Sequence, residues 1–513
     1  MTWRERLTKQ GVRDASILIA LFTVLSQMLG FVREAVLAHF FGTSAEYDLL
    51  LLALTVPILV GSVLFVALPM ASIPLLQSSP DHARGLTLKD PFLTTNAVII
   101  ALVSITTWTL IPTITGLLGD DLPSESVAYV SSIARTFCLL IPLRALEALF
   151  RSILHIRNHF FLPALAPLVF NIVAITTLVT FFPSFDSAAF IVAWVLGMFI
   201  QTMMTLVPVA VMSWHDGKSS QTPFDRSEYL GFLSIVIFIE SVGLLLEPLD
   251  RFMAGMFLST GFVSAVNYAA VIYFLPVRVA VNSVATAIFP AFARLALSGS
   301  REGMATMYHR TVAACTFTLI PASVLLFMHR TEVIRLLLER GRFDAISTAL
   351  TSEILAWFIP ATLFVALSTF QWRLLYALKA WRYFATVRFL AILLKAGFGL
   401  WFIQSQWAMA IGLGTTLHFL LSFIALEWYL ITKHDIRYSV ADRKLIHRAL
   451  VGAVAVSFAG ALTTLLCRLA VDCTQFVSLI VTGVVSLSTG LGIDYYWNLT
   501  ALDMRKITGQ LRR

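Results

Sequence analysis

What most limits how this chain can fold is its succession of long apolar segments. A helix that crosses the hydrocarbon core of a bilayer needs about 20 mostly apolar residues. About fourteen segments meet that need: 15–41, 48–77, 92–118, 127–154, 162–183, 187–213, 229–258, 262–296, 305–328, 347–376, 384–403, 407–432, 449–469 and 476–497. They are numbered here as spans 1 to 14. Of the 513 residues, 58% are hydrophobic and 13% charged, where a soluble domain carries about 25% charged residues. No soluble architecture covers so much apolar surface, so the bilayer is the solvent. The expected fold is all-α, a polytopic membrane protein.

Loop charge orients such a chain. The loops after odd-numbered spans read GTSAEY, GDDLPSES, PSFD and QSQ, without Lys or Arg. Those after even-numbered spans carry Arg84, Lys89, Arg157, Lys218, Arg226, Arg301, Lys379 and Arg382, then the cluster Lys433, Arg437, Arg443, Lys444 and Arg448. Basic residues collect on the cytoplasmic side, so both termini are expected there. The same bias accounts for the net charge of +8. No nucleic-acid partner is expected, because no loop combines a long basic run with aromatics. Arg4, Arg6, Lys9 and Arg13 precede span 1 without a small-residue cleavage site, which predicts an uncleaved first transmembrane helix. The four cysteines have no metal-ligand spacing and read as small core residues. One loop breaks the charge rule: 329–345 holds Arg330, Arg335, Arg340 and Arg342, yet parity puts it outside. Ile334, Leu337 and Leu338 share one helical face there, which predicts an interfacial amphipathic helix; a miscounted span is the competing explanation.

The chain also repeats itself. Phe150-Arg151 and the residues to Arg157 resemble Trp372-Arg373 and the residues to Lys379, 222 positions on. Asp48 with Pro57 resembles Asn267 with Pro276 (219 positions), Ile73-Pro74 resembles Phe289-Pro290 (216) and Gly30 to Arg33 resembles Pro248 to Arg251 (218). The spacing equals six spans, an even number. Two parallel, pseudo-symmetric six-helix lobes are therefore expected, residues 1–226 and 227–432, with 433–513 supplying helices 13 and 14 and a basic tail. Prolines in spans 2 and 8 are read either as static kinks or as hinges.

A charge at mid-bilayer costs about 2.5–3.5 kcal/mol on insertion scales, so charged residues there are functional candidates. Substrate-binding candidates are Arg33, Arg144, Arg251 and Arg278. Glu34, Asp48, Glu147, Glu240, Glu247 and Asp250 are candidates for supporting acids or ion coupling, and Lys395 is an intramembrane lysine. Arg144 with Glu147, and Glu247 with Arg251, are spaced to neutralise each other. Arg33 and Arg251 occupy matching repeat positions and are expected to face each other across a shared cavity. Guanidinium forks bind phosphate oxygens well, often bidentately, so a diphosphate head group is a natural cargo. The loops hold no catalytic constellation, so no enzyme, cofactor or resident metal is expected. A coupling ion, Na⁺ or H⁺, is left open.

Several stretches resemble the MurJ/MviN family. Leu29-Gly30-Phe31-Val32-Arg33-Glu34 is similar to its first-helix motif, and Asp48 with Pro57 to its second helix. Leu162-Pro163-Ala164-Leu165-Ala166-Pro167 with Asn171-Ile172 is similar to its fifth. Ile334 to Asp344, with Glu339-Arg340-Gly341-Arg342-Phe343, resembles an outer-loop hallmark, and Tyr376-Ala377-Leu378-Lys379 matches a further stretch. The chain departs from the family pattern at Gln27, at Ala270 and Val271, and at Thr55, Gly61 and Ser62, where charged residues are usual. The resemblance implies a fourteen-helix member of the multidrug/oligosaccharidyl-lipid/polysaccharide exporter superfamily. It would be a monomer in the bacterial cytoplasmic membrane, flipping a polyprenyl-diphosphate-linked saccharide, with lipid II the first choice. Helices 13 and 14 would form a groove for the lipid tail. The alternatives are a flippase for another lipid-linked polysaccharide unit and a drug/cation antiporter of the same fold.

Overall fold

The computed structural model describes residues 12–78, 90–117, 123–216, 224–277, 281–403, 409–469 and 475–497. Among them are nineteen helices and no strand. These are α1 (Val12–Phe41), α2 (Ala45–Ser78), α3 (Pro91–Gly116), α4 (Ser124–Phe137), α5 (Leu140–Ile156), α6 (Phe161–Phe185), α7 (Ser187–Asp216), α8 (Arg226–Leu244), α9 (Leu246–Phe257) and α10 (Phe262–Pro276). There follow α11 (Asn282–Leu297), α12 (Arg301–Met328), α13 (Arg330–Leu338), α14 (Ala345–Phe358), α15 (Ala361–Ala377), α16 (Trp381–Ile403), α17 (Met409–His434), α18 (Val440–Leu469) and α19 (Gln475–Trp497). Ten helices among the described residues are long and apolar enough to span, eleven when α14 and α15, bent by 46°, count as one. Among the described residues each of the fourteen sequence spans coincides with helix, and spans 4, 7 and 10 are each built from two.

Proline explains two of the three breaks, those of spans 7 and 10. It removes a backbone N–H and its ring clashes with the carbonyl four residues back. Pro248 lies in the first turn of α9, Pro276 is the last residue of α10, and Pro360 precedes α15. Pro57, Pro69 and Pro74, by contrast, all lie inside the unbroken α2. Two helix starts are capped by an aspartate. Asp90 accepts from Phe92 N (2.8 Å), and Asp225 accepts from Ser227 N (2.9 Å) and Glu228 N (3.2 Å).

Two compact units emerge, Met1–Ser264 with Arg340–Asp344, and Ala265–Glu339 with Ala345–Arg513. In the first, α2 packs on α4, α5, α8 and α9, α5 on α7, and α6 on α1 and α7. The sequence boundary at 226/227 therefore meets α8 and α9 packed inside this unit. In the second, α15 packs on α11, α12 and α17, and α16 and α14 on α17. α18 lies along α12, where Ala313, Phe317, Ala449 and Val456 form a buried core.

The repeat is visible in this packing. Spans 2 and 4, 4 and 6, and 5 and 6 pair in the first unit, as spans 8 and 10, 10 and 12, and 11 and 12 do in the second. It is also visible in the backbone. α5 and α15 end alike, with His159 N bonded to Leu154 O (2.8 Å) and Ala380 N to Leu375 O (2.8 Å). The residues between, Asn158 and Lys379, are left-handed at φ 61° and 57°. This is a Schellman closure used twice. It fixes the spacing there at 221, one less than the side-chain similarity indicated.

The charged loop 329–345 divides. α13 is a helix, with Ile334 and Leu338 buried where it packs on α14. Arg340–Asp344 instead docks on the end of α1. Arg342 N donates to His39 O (2.9 Å), Phe343 is buried, and the Arg342 guanidinium lies over Phe182. The approach requires two glycines in the left-handed region, Gly42 and Gly341. A Cβ on Gly42 would stand 2.3 Å from Arg342 O, and one on Gly341 2.4 Å from His39 O.

Candidate functional site

The charged residues inside the spans fall into three groups. The first holds helices together. Arg33 on α1 donates from Nη1 to Asn171 Oδ1 (3.0 Å) and from Nη2 to Glu34 Oε1 (2.8 Å). Its guanidinium lies 5.0 Å from the ring centre of Trp194 and 5.5 Å from that of Phe170. Asn171 in turn donates to Ser26 O and Pro167 O, both at 3.1 Å. The first-helix motif and the Pro-Ala-Leu-Ala-Pro-to-Asn stretch thus meet in space, and Arg33 is held by α6 and α7. Asp48 is likewise committed: Oδ2 accepts from Gly261 N (2.6 Å) and Oδ1 from Ser264 N (2.7 Å). A carboxylate on α2 therefore caps the first turn of α10, a cap supplied from 213 positions away.

The second group lies on α5 against α2. Glu147 is fully buried and pairs with Arg151 at 3.2 Å. This corrects the expected Arg144–Glu147 pair: the i,i+4 neighbour takes the carboxylate, not the i,i+3 one. Among the described residues Arg144 makes no ion pair, although the Glu147 charge still acts on it from further off. It packs over Gly61 and lies 5.0 Å from the ring centre of Phe65, on which Arg151 also stacks at 4.0 Å. A small residue at position 61, where the family usually has more side chain, is what admits Arg144.

The third group is the second unit's counterpart. Arg373 on α15 lies over Phe289 of α11 (5.7 Å) and over Trp372 (4.3 Å). The residue four before it is Thr369, not an acid, and its hydroxyl bonds its own helix at Val365 O (2.8 Å). Among the described residues Arg373 forms no ion pair, and its Nε has no hydrogen-bond partner. The sequence displayed this arginine as a repeat match without marking it as a site, although its lack of an acidic i−4 neighbour was legible.

The remaining candidates are placed as follows. Glu240, Glu247 and Arg251 are half-buried on α8 and α9, and Asp250 is buried there. Lys395 is buried on α16, its stem facing Gly414 of α17. Arg278 lies outside the described residues. Gln27, Ala270 and Val271 are half-buried, on α1 and α10.

A further polar cluster went unmarked in the sequence. Glu427 on α17 accepts from Tyr308 Oη (2.5 Å), from Gln371 Nε2 (2.8 Å) and from Tyr438 Oη. Next to it, His309 stacks on Tyr438 and meets Asp442 Oδ2 at 3.1 Å. Asp442 and Ser439 close a reciprocal cap at the start of α18. Burial, and the Glu427 carboxylate it donates to, push the Tyr438 hydroxyl above the usual tyrosine range. The cluster ties α12, α15 and α17 to the first turn of α18.

Comparison with known proteins agrees with this architecture. A probable lipid II flippase MurJ from Borreliella burgdorferi is 23% identical over 362 residues, which cover 69% of this chain and 71% of that protein. The solved structure "Lipid II flippase MurJ, inward closed conformation" superimposes with a TM-score of 0.79 at 19% identity, covering 94% of this chain and 99% of that one. An inward-facing multidrug resistance MATE family transporter of the MOP superfamily matches less well, with a TM-score of 0.59 at 13% identity over 84% of this chain and 96% of that one. The family model "Lipid II flippase MurJ" matches residues 37–490. This multi-pass membrane protein therefore belongs to the lipid II flippase MurJ family.

Proposed function

We propose that the chain moves lipid II, the undecaprenyl-diphosphate-linked peptidoglycan precursor, across the bacterial cytoplasmic membrane by alternating access. The observation that carries this reading is the family match over residues 37–490. The chemistry of the spans fits the cargo. Among the described residues neither Arg144 nor Arg373 forms an ion pair, and a guanidinium in a low-dielectric setting binds a diphosphate through charge-assisted bonds. Arg33 acts differently: held by Asn171 and Glu34, it positions α1 against α6 and α7 and is not a direct ligand. The head group crosses while the polyprenyl chain stays in lipid, so no bond is made or broken and the protein is not an enzyme. It works as a monomer, with both termini in the cytoplasm and without a nucleic-acid partner. A drug cation would want unpaired carboxylates and aromatics instead, and the unpaired charges at Arg144 and Arg373 have the opposite sign.

The test is replacement of the resident lipid II flippase in a depletion strain by this chain. Restored growth, with no build-up of lipid II on the cytoplasmic leaflet, is the expected result. Failure to restore growth at a normal membrane level, with a different polyprenyl-linked glycan accumulating in the native host on depletion, would overturn it.

A further inference from the structure

The second unit carries a cleft of about 600 Å³. That volume is within the range of small-ligand sites, roughly 300–1,000 Å³. It lies where α12 ends and α13 and α17 begin, so it opens at the level where spans meet the head-group zone. Its walls include Phe327, Trp357, Pro360 and Met409, and two charged residues line it, Arg330 and Glu353.

The charges are what define an occupant. Arg330 Nη1 is anchored on Phe327 O at 2.7 Å, and the guanidinium lies over the Phe327 ring at 4.8 Å. Its Nε is buried without a hydrogen-bond partner. Glu353 is exposed and, among the described residues, forms no ion pair with Arg330 or another base. One apolar cleft therefore holds one fixed cation with an unmet donor and one unpaired carboxylate. An anionic lipid would satisfy the first and be repelled by the second; a cationic amphiphile would do the reverse. A zwitterion with a phosphodiester and a primary ammonium, carried on acyl chains, satisfies both. Half of Phe327 is exposed (46%), which gives such chains an apolar surface to lie on. Interfacial Trp and Arg are the residues that membrane proteins place at this depth.

We propose that this cleft is a binding site for a zwitterionic phospholipid of the phosphatidylethanolamine type, with the phosphate on Arg330 and the ammonium on Glu353. The site is separate from the lipid II path and does not depend on it. The test is native mass spectrometry of the purified, delipidated full chain titrated with phosphatidylethanolamine, phosphatidylglycerol or undecaprenyl diphosphate. Phosphatidylethanolamine should be retained roughly tenfold more strongly than phosphatidylglycerol. E353Q should bring the two lipids to parity, R330A should weaken both, and R330K should keep part of the binding. A349W, at an exposed alanine lining the cleft, should block it without touching either charge. Thermal melts without lipid should match for all variants. Equal retention by wild type, E353Q, R330A and A349W would overturn the proposal. So would undecaprenyl diphosphate displacing phosphatidylethanolamine from the wild type, which would assign the cleft to the cargo.

Discussion

Arg151 and Arg373 stand within one position of each other in the register of the repeat, and their outcomes are opposite. Each stands near the end of the fourth helix of its repeat and stacks on a phenylalanine of the second, Phe65 or Phe289. Arg151 has Glu147 one turn back and is neutralised. Arg373 has Thr369 there, whose hydroxyl turns to its own backbone. The second unit does bury a carboxylate, Glu427, but neutral donors satisfy it: two tyrosines and a glutamine. Its arginine forms no ion pair among the described residues. The difference teaches that the repeat sets where a helix stands, and the neighbour one turn away decides whether an arginine on it is paired.

The largest expected effect probes the built half. Arg151→Ala strands a fully buried Glu147, and removing one partner of a buried pair costs about 3–5 kcal/mol. A detergent melt of the variant should show the loss as poor folding. The double variant Arg151→Met with Glu147→Leu should recover most of it, since both charges leave together. If the single variant melts like wild type, the pair is not structural and the comparison fails.

Next comes the carboxylate of the other half. Glu427→Gln turns an acceptor of three donors into a group that brings donors of its own. Hydrogen bonds to a charged group are worth about 1.5–3 kcal/mol each, and a loss of that order is expected. Limited proteolysis near Tyr438 should report the loosened start of α18; unchanged cleavage and stability would show that the cluster does not tie α18 down.

Smaller, and sharper, is the conversion of one half into the other. Thr369→Glu places a carboxylate four residues before Arg373, the spacing of Glu147 and Arg151. Folding should survive, because the new charge arrives with its partner. Transport should fall roughly tenfold, as neutralising the guanidinium removes about 1.4 kcal/mol of anion binding. Full transport in this variant would mean that the free charge on Arg373 is idle.

The fold was readable because a bilayer demands apolar runs of fixed length, and fourteen such runs reappear as helix. Proline placed two of the three breaks within spans. What could not be read was where each charge finds its partner. Arg33 reaches Asn171, 138 positions away, and Asp48 reaches Gly261, 213 away; nothing in local spacing signals either. Glu147 had two arginines within one turn, and rotamer and packing, not count, chose Arg151. Glu427 passed as one acid in an apolar run because its partners are neutral residues from three other segments. The repeat was found from side chains one position out of register, and the left-handed residues Asn158 and Lys379 supply the correction.

The most direct test of the account is lipid II translocation by the purified chain in sealed vesicles, wild type against Arg373→Ala. The substituted protein should match wild type in melting temperature and vesicle content, yet move lipid II to the opposite leaflet roughly 10- to 100-fold more slowly. Equal rates would contradict the claim that an unpaired arginine in the second half receives the diphosphate.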